Sequence, residues 1–197
     1  SCYIQDTSAQ LAGQLIAPKK GELILDACCA PGGKTTHLAE LCPSAEILAL
    51  DTDEKRLIKV KENIKRLKSN NVGVILGDAT KNDWWNKKLF DKILVDAPCT
   101  GTGVIRRHPD IKLIRKPRDL THIINVQASI IMNLWLMLKP GGKLVYATCS
   151  ILKDENENQI SNFIKLTKDA SIEEIQLPWG RGSIGKQQLP TDIFDGF

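Results

Sequence analysis

Leu23-Ile24-Leu25-Asp26-Ala27-Cys28-Cys29-Ala30-Pro31-Gly32-Gly33-Lys34-Thr35 is an apolar run that breaks into a Pro-Gly turn and reopens as a helix start. Glycines in such a turn let the backbone approach a ligand closely, and the free N–H groups of the helix N-terminus favour an anionic group. Outward from this stretch, candidate strands at 22–27, 46–51, 72–76, 91–96, 142–147 and, more weakly, 172–177 alternate with candidate helices at 34–42, 53–69, 119–138 and 154–168. That alternation predicts an α/β fold with a doubly wound, mostly parallel sheet. Gln5 to Ile16 reads as a further amphipathic helix packed over the sheet.

The second helix keeps charges outward and turns Leu57, Ile58, Val60, Ile64 and Leu67 inward. Lys139-Pro140-Gly141-Gly142 reads as the stop signal of the long third helix. Pro178 to Asp192, rich in Gly, Pro and Gln, reads as a mobile loop within a single domain of 197 residues. The chain opens in mid-stream at Ser1-Cys2-Tyr3 and stops at Asp195-Gly196-Phe197, so a piece of a longer protein is expected. Hydrophobic content of 42% and charged content of 25% are globular values, and no apolar stretch reaches the length of a membrane span. Six cysteines without a signal peptide fit a reducing cytoplasm rather than a disulfide framework. A monomer is favoured.

Three ligands compete for the glycine turn. A dinucleotide site wants GxGxxG, which is absent. A P-loop wants GxxxxGK[ST]; Gly33-Lys34-Thr35 supplies its end, but Cys28 stands where its first glycine belongs, and Asp96 after Ile93-Leu94-Val95 could pass as a magnesium aspartate. The third ligand is S-adenosylmethionine, which needs the Gly turn against its methionine part, an acid at the end of the second strand for the ribose hydroxyls, and a polar group after the third strand for adenine. Asp51, Asp78 and Asp96 each close a successive candidate strand. One such aspartate can be a helix cap. Three in register at the ligand-binding edge of the sheet favour a site. They would repel a triphosphate and suit a sulfonium cation.

Two further strands each deliver a cysteine: Lys92 to Asp96 leads to Cys99, and Lys143 to Ala147 leads to Cys149. Most free cysteines are small buried fillers. Neither of these belongs to a CxxC pair, so no metal site is expected, and two separate thiols facing one crevice suggest covalent chemistry on an electrophilic ring. Net charge is only +4, but Arg106, Arg107, Lys112, Arg115, Lys116 and Arg118 fall within thirteen residues shortly after Cys99. The basic run reads as a solvated loop or as a phosphate-contacting one.

These motifs together resemble the catalytic domain of RNA cytosine-5 methyltransferases of the bacterial Sun/Fmu type, which modify small-subunit ribosomal RNA. Asp26 to Thr35 resembles their cofactor motif. Asp96-Ala97-Pro98-Cys99-Thr100-Gly101-Thr102-Gly103 and the following Val104 to Asp110 resemble their first cysteine motif and target loop. Tyr146-Ala147-Thr148-Cys149-Ser150 resembles the motif of the nucleophile, and Gln5-Asp6 a lead-in element. The resemblance implies a Rossmann-like fold, S-adenosyl-L-methionine as cofactor and RNA as partner. It also implies that an N-terminal RNA-binding helical domain and a last strand, starting at Asp195-Gly196-Phe197, belong to the full-length protein. Cys29 stands where alanine is more usual in the family.

By the same resemblance Cys149 is the nucleophile that adds to cytosine C6, and Cys99 assists breakdown of the adduct. Asp96 faces the cytosine edge near N3, and Lys34 pairs with Asp96 and lowers a neighbouring thiol pKa, as a nearby cation does. Cys28, Cys29, Ala30, Pro31, Gly32, Gly33, Lys34, Asp51, Asp78 and Asp96 form the expected cofactor site. Arg106, Arg107, Arg115 and Arg118 are the expected holders of flanking phosphates. Trp84, Trp85 and Trp179 could stack on bases, but core or loop anchoring is the commoner role of tryptophan. A P-loop-like nucleotidase and a non-catalytic RNA-binding module remain as alternatives.

Overall fold

The structure, a computed structural model, describes residues 2–173. It divides into two compact units, residues 1–97 with 130–147, and residues 98–129 with 148 onward.

The first unit holds a five-stranded sheet in the order β3-β2-β1-β4-β5, with β1 Leu23–Ala27, β2 Glu46–Asp51, β3 Val72–Leu76, β4 Phe90–Asp96 and β5 Leu138–Ala147. All its pairings are parallel. The ligand-binding ends of β1, β2 and β4 therefore lie along one edge. The strands read as near-continuous apolar runs because β1 is buried along its whole length, as parallel strands covered on both faces are. Helices α1 Thr7–Ile16, α2 Gly33–Leu41 and α3 Glu54–Leu67 follow the predicted pattern within a few residues. Ala12, Ile16, Leu38 and Ala39 pack with Ile24, Ile47 and Leu94 in one cluster; Leu57 and Val60 pack with Cys29, Ala30 and Ala49 in another. Each fully buried Leu or Ile in such clusters is worth about 1.5–3 kcal/mol. Asp53 caps α3 by accepting the Lys55 and Arg56 N–H groups.

Three expectations need correction. Ile58 does not face inward; it is exposed, and only Leu57 and Val60 of the helix are buried. The long helix α5, Pro117–Trp135, stops before Lys139-Pro140-Gly141-Gly142, which lies inside β5. Between the pairs Phe90–Leu138 and Lys92–Lys143 the strand β5 carries three more residues than β4, an irregularity that Gly141 at φ +74° accommodates. The glycines thus serve a bulge rather than a helix end. The expected strand at 172–177 does not begin at Ile172 or Glu173, and its remainder, the loop at 178–192, Trp179 and Asp195 to Phe197 lie outside the described residues.

The second unit holds a 3-10 turn at Thr102–Val104, α4 Ile111–Ile114, α5 as far as Ser129, a 3-10 turn at Lys153–Glu155 and α6 Glu157–Leu166. The expected helix at 154–168 is therefore split into a turn and a helix. Much of what this unit buries is polar: Thr100, Gln127, Ser150, Glu155 and Gln159. Such groups are tolerated in an interior only when hydrogen-bonded. No described helix is long and apolar enough to cross a membrane.

Candidate active site

The turn after β1 is tied down from several sides. Cys28 takes φ +61° and Gly32 φ +99°, and the Ala30–Pro31 peptide is cis. The Cys29 N–H donates to the Leu50 carbonyl at 3.1 Å, and the Gly32 N–H to the Cys29 carbonyl at 2.7 Å. Arg56 Nη2 donates to the Ala30 carbonyl at 2.6 Å and Asn63 Nδ2 to that of Pro31 at 3.1 Å. A Cβ at Gly32 would stand 3.2 Å from the Val60 backbone, so this residue must be glycine for both space and φ.

Asp51 ends β2 with its side chain buried. One carboxylate oxygen accepts the Ala30 N–H at 3.0 Å and the other the Asp53 N–H at 3.1 Å. The acid read as a ribose acceptor thus also shapes the glycine turn and the entry to α3, and its Oδ1 lies 3.8 Å from Arg56 Nη1. Asp96 ends β4, accepts from Lys34 Nζ at 2.7 Å, and keeps about a third of its side chain exposed. Asp26, the last residue but one of β1, is wholly buried; Thr35 Oγ1 donates to its Oδ2 at 2.6 Å, and Oδ1 has no partner among the described residues. Burial, with Asp96 and Asp51 adding to it, lifts its pKa to about 7 against the pull of Thr35 and Lys34.

Asp78 lies two residues beyond β3 and accepts from the Thr80 N–H at 2.9 Å and hydroxyl at 2.7 Å. Burial works to raise its pKa, but those two bonds and Lys81 outweigh it and hold the carboxyl below its usual range. Trp84 Nε1 donates to the Asp78 and Lys81 carbonyls and Trp85 Nε1 to that of Lys88, which makes both indoles loop anchors.

The Lys34–Asp96 pair forms as expected, but the nearby thiol of Cys28 does not fall. Burial first, then Asp51, Asp96 and Asp26, push it up to about 12, and Cys29 rises for similar reasons. Burial and three acids around one turn outweigh the pull of Arg56 on the Cys28 thiol.

In the second unit the Sγ atoms of Cys99 and Cys149 lie 3.2 Å apart. Cys149 is exposed and Cys99 only partly so. The hydrogen bond to Cys149, and then burial, push the Cys99 thiol up. Arg115 turns back on this loop, with Nε on the Thr100 carbonyl at 3.2 Å and Nη2 on the Cys99 carbonyl at 3.4 Å. It braces the thiol loop from its own basic segment. Arg106, Arg107 and Arg118 are exposed, the last 3.9 Å from Asp119.

A turn of this kind on a parallel sheet, together with a thiol pair, narrows the families the chain can join. A family model described as 16S rRNA methyltransferase RsmB/F matches residues 13–197. The chain belongs to this family. Relatives in the RsmB/F group include the ribosomal RNA small subunit methyltransferase B of Pasteurella multocida, 49% identical over 201 residues, covering 98% of this chain and 45% of the relative. The protein of the same description from Shewanella oneidensis is 50% identical over 196 residues, covering 98% and 46%. NSun6 from Pyrococcus horikoshii, whose crystal structure was solved with SFG, superposes with a TM-score of 0.83 at 36% identity over 93% of this chain and 46% of that one. The chain spans about half the length of the curated relatives it matches. Its fold is the Rossmann-like methyltransferase fold.

S-adenosyl-L-methionine is the cofactor of the RsmB/F family, and the residues present fit it. A buried carboxylate ends β2, the turn after β1 is held in a left-handed bend at Gly32, and the partly exposed Asp96 carboxylate offers a negative charge to a sulfonium. Among the described residues no group of three His, Cys, Asp or Glu side chains is arranged to hold a metal ion. The structure brings Asp26, Lys34, Asp51 and Asp96 together around the turn, and Cys99 and Cys149 together in the second unit. The sequence reading missed Glu155, which it took only as part of a helix start. A carboxylate within an Asp-Glu-Asn-Glu-Asn run looks solvated, and nothing in the local pattern marks the one that folds inward.

Proposed function

We propose that this chain is the catalytic part of an enzyme that transfers a methyl group from S-adenosyl-L-methionine to C5 of a cytosine in small-subunit ribosomal RNA, through a covalent bond between Cys149 and C6. The observation that carries the reading is the sulfur pair: two thiols 3.2 Å apart, one of them exposed. Cytosine C5 is too weak a nucleophile to accept a methyl group unaided. A thiolate adding to C6 turns the ring into an enamine that can. Bound cofactor supplies the methyl group from its sulfonium. The C5 proton then leaves to a base, and the Cys149–C6 bond breaks to regenerate the thiolate.

Cys99, 3.2 Å from the Cys149 sulfur, is assigned to assisting breakdown of the adduct. Asp96, fixed by Lys34 and partly exposed, is the carboxyl group assigned to the cytosine N3 edge. Asp51 and Asp78 are assigned to the ribose and the adenine. Arg106, Arg107 and Arg118 are assigned to phosphates, whereas Arg115 holds the Cys99 loop. The target base must leave its stack, which costs a few kcal/mol in a duplex and less in a loop.

The test is incubation of the complete protein with methyl-labelled S-adenosylmethionine and 16S rRNA, followed by nucleoside mass spectrometry. Label in 5-methylcytidine is expected. Label in any other nucleoside overturns the C5 assignment.

A further inference from the structure

Glu155 is completely buried at the end of the 3-10 turn Lys153–Glu155. Its Oε1 accepts the Thr100 N–H at 2.8 Å and Gln127 Nε2 at 3.1 Å, and its Oε2 accepts the hydroxyls of Thr100 and Ser150. Thr100 follows Cys99 in the chain and Ser150 follows Cys149. The residues on the other side of each cysteine are held as well. Gln127 Nε2 donates to the Pro98 carbonyl at 2.9 Å, and the Thr148 hydroxyl donates to Asn156 Oδ1 at 2.6 Å. Asn156 Nδ2 also holds the carbonyls of Ser150 and Leu152, each at 2.9 Å. Gln159 Nε2, fixed on the Ile124 carbonyl at 2.7 Å, lies 3.3 Å from Gln127 Oε1 and orients that amide.

We propose that Glu155 is the positioning residue that sets the separation of the two thiols. Four directional hydrogen bonds converge on one carboxylate, and three of them come from the residues that immediately follow Cys99 and Cys149. A carboxylate in an interior is costly unless it is fully hydrogen-bonded, and a hydrophobic side chain would fill the same volume without that cost. Apolar packing is non-directional and would let the two loops slide, whereas this network ties each cysteine's neighbour to a shared atom. A shift of about 1 Å between reacting groups costs on the order of a hundredfold in rate, so such a tether matters to a reaction in which both sulfurs take part. The role in catalysis rests on the two-thiol reading above.

The test does not rest on it. Dibromobimane alkylates two thiolates in turn, each displacing one bromide, and fluoresces once both arms have reacted, so it reports two thiols within a few ångströms with neither RNA nor methyl donor present. The wild-type chain should yield a fluorescent link between the peptides carrying Cys99 and Cys149. Glu155→Ala should slow that link by about tenfold or more, with alkylation of exposed Cys2 unchanged. Glu155→Gln should stay within about threefold of wild type, because its amide oxygen still accepts from Thr100 and Gln127 while its nitrogen donates to the two hydroxyls. A wild-type linking rate in Glu155→Ala, or equal losses in both variants, overturns the proposal. Should Glu155→Ala fail to fold, the double variant Thr100→Val with Ser150→Ala removes only the hydroxyl half of the clamp, and an undiminished link there overturns it too. Absence of methylation by the complete wild-type enzyme would remove the proposed function and leave the thiol spacing intact.

Discussion

The Cys99 sulfur lies 3.2 Å from the Cys149 sulfur, and the two are not equivalent. Cys149 is exposed, while Cys99 is partly buried, and the neighbouring sulfur and then burial push its thiol up. The residues alone could not rank these thiols; the ranking came from family resemblance. In that ranking the exposed Cys149 is the proposed nucleophile, because attack on a base needs an accessible thiolate.

Cys149→Ala should therefore abolish covalent capture of RNA containing 5-fluorocytidine by the complete protein in the presence of S-adenosylmethionine. Cys99→Ala should do the opposite with ordinary RNA and accumulate a protein–RNA adduct that survives denaturation. Denaturing gels read both. Capture that persists without the Cys149 thiol, or only free RNA in the Cys99 variant, would reverse or remove the roles.

Asp51→Ala should cost both stability and cofactor affinity. The variant leaves the Ala30 and Asp53 N–H groups without the acceptor that fixes the glycine turn. An unsatisfied buried N–H costs about 1–3 kcal/mol. Thermal unfolding should show that loss without any ligand, and calorimetry should show S-adenosylmethionine binding weakened by more than about tenfold, which 1.4 kcal/mol corresponds to. Asp51→Asn keeps one acceptor oxygen and should fall between. Unchanged affinity in the alanine variant would take Asp51 out of the cofactor site.

How much of this was legible beforehand depended on whether the signal was local. Strands β1 to β4 could be read within a residue because each is a short apolar run with an acid or a glycine at or beside its end, although the edge strand β3 is only partly buried. The start of β5 could not, since Pro140 and Gly141 carry the same local message in a bulge as at a helix end. Asp51 was recognisable by its place after Ile47 to Leu50, but its bond to the Ala30 amide spans 21 residues and leaves no local trace. Glu155 was hidden for the same reason: its partners Thr100 and Gln127 lie 55 and 28 residues away. The basic segment was visible as charge, yet charge alone could not single out Arg115, which faces its own loop.

Asp26 gives a pH dependence with a definite sign. Its pKa is about 7 in the folded chain against 3.8 as the ordinary value, so the folded state holds a proton that the unfolded chain releases. Stability must then fall as pH rises from about 4 to about 7, at up to about 1.4 kcal/mol per pH unit from this group, and level off above. Asp26→Asn is neutral at every pH and keeps an acceptor for Thr35. The variant should gain stability over wild type progressively between pH 4 and pH 7, with the gap constant above that range. Urea titrations at pH 5, 6, 7 and 8 measure it. A gap that is flat from pH 5 to pH 8 would mean the carboxylate is ionised throughout.

Gly103 tests whether the chemistry depends on where the Cys149 backbone sits. Its N–H donates to the Cys149 carbonyl at 2.9 Å, and a Cβ there would stand 2.8 Å from that oxygen and 3.3 Å from its carbon. Both obstacles are backbone atoms, which cannot swing aside as the end of a long side chain does. Gly103→Ala must push the cysteine loop away, at a cost of about 1–3 kcal/mol in packing. The thiol then shifts relative to its neighbour, and misplacement of that size costs about a hundredfold in rate. Capture of 5-fluorocytidine RNA should slow accordingly. S-adenosylmethionine affinity should hold within about twofold, because Gly103 is not among the residues assigned to the cofactor. Wild-type capture kinetics in this variant would show that the loop absorbs the added methyl without moving the sulfur, and that thiol placement is less stringent than the convergence of bonds around it implies.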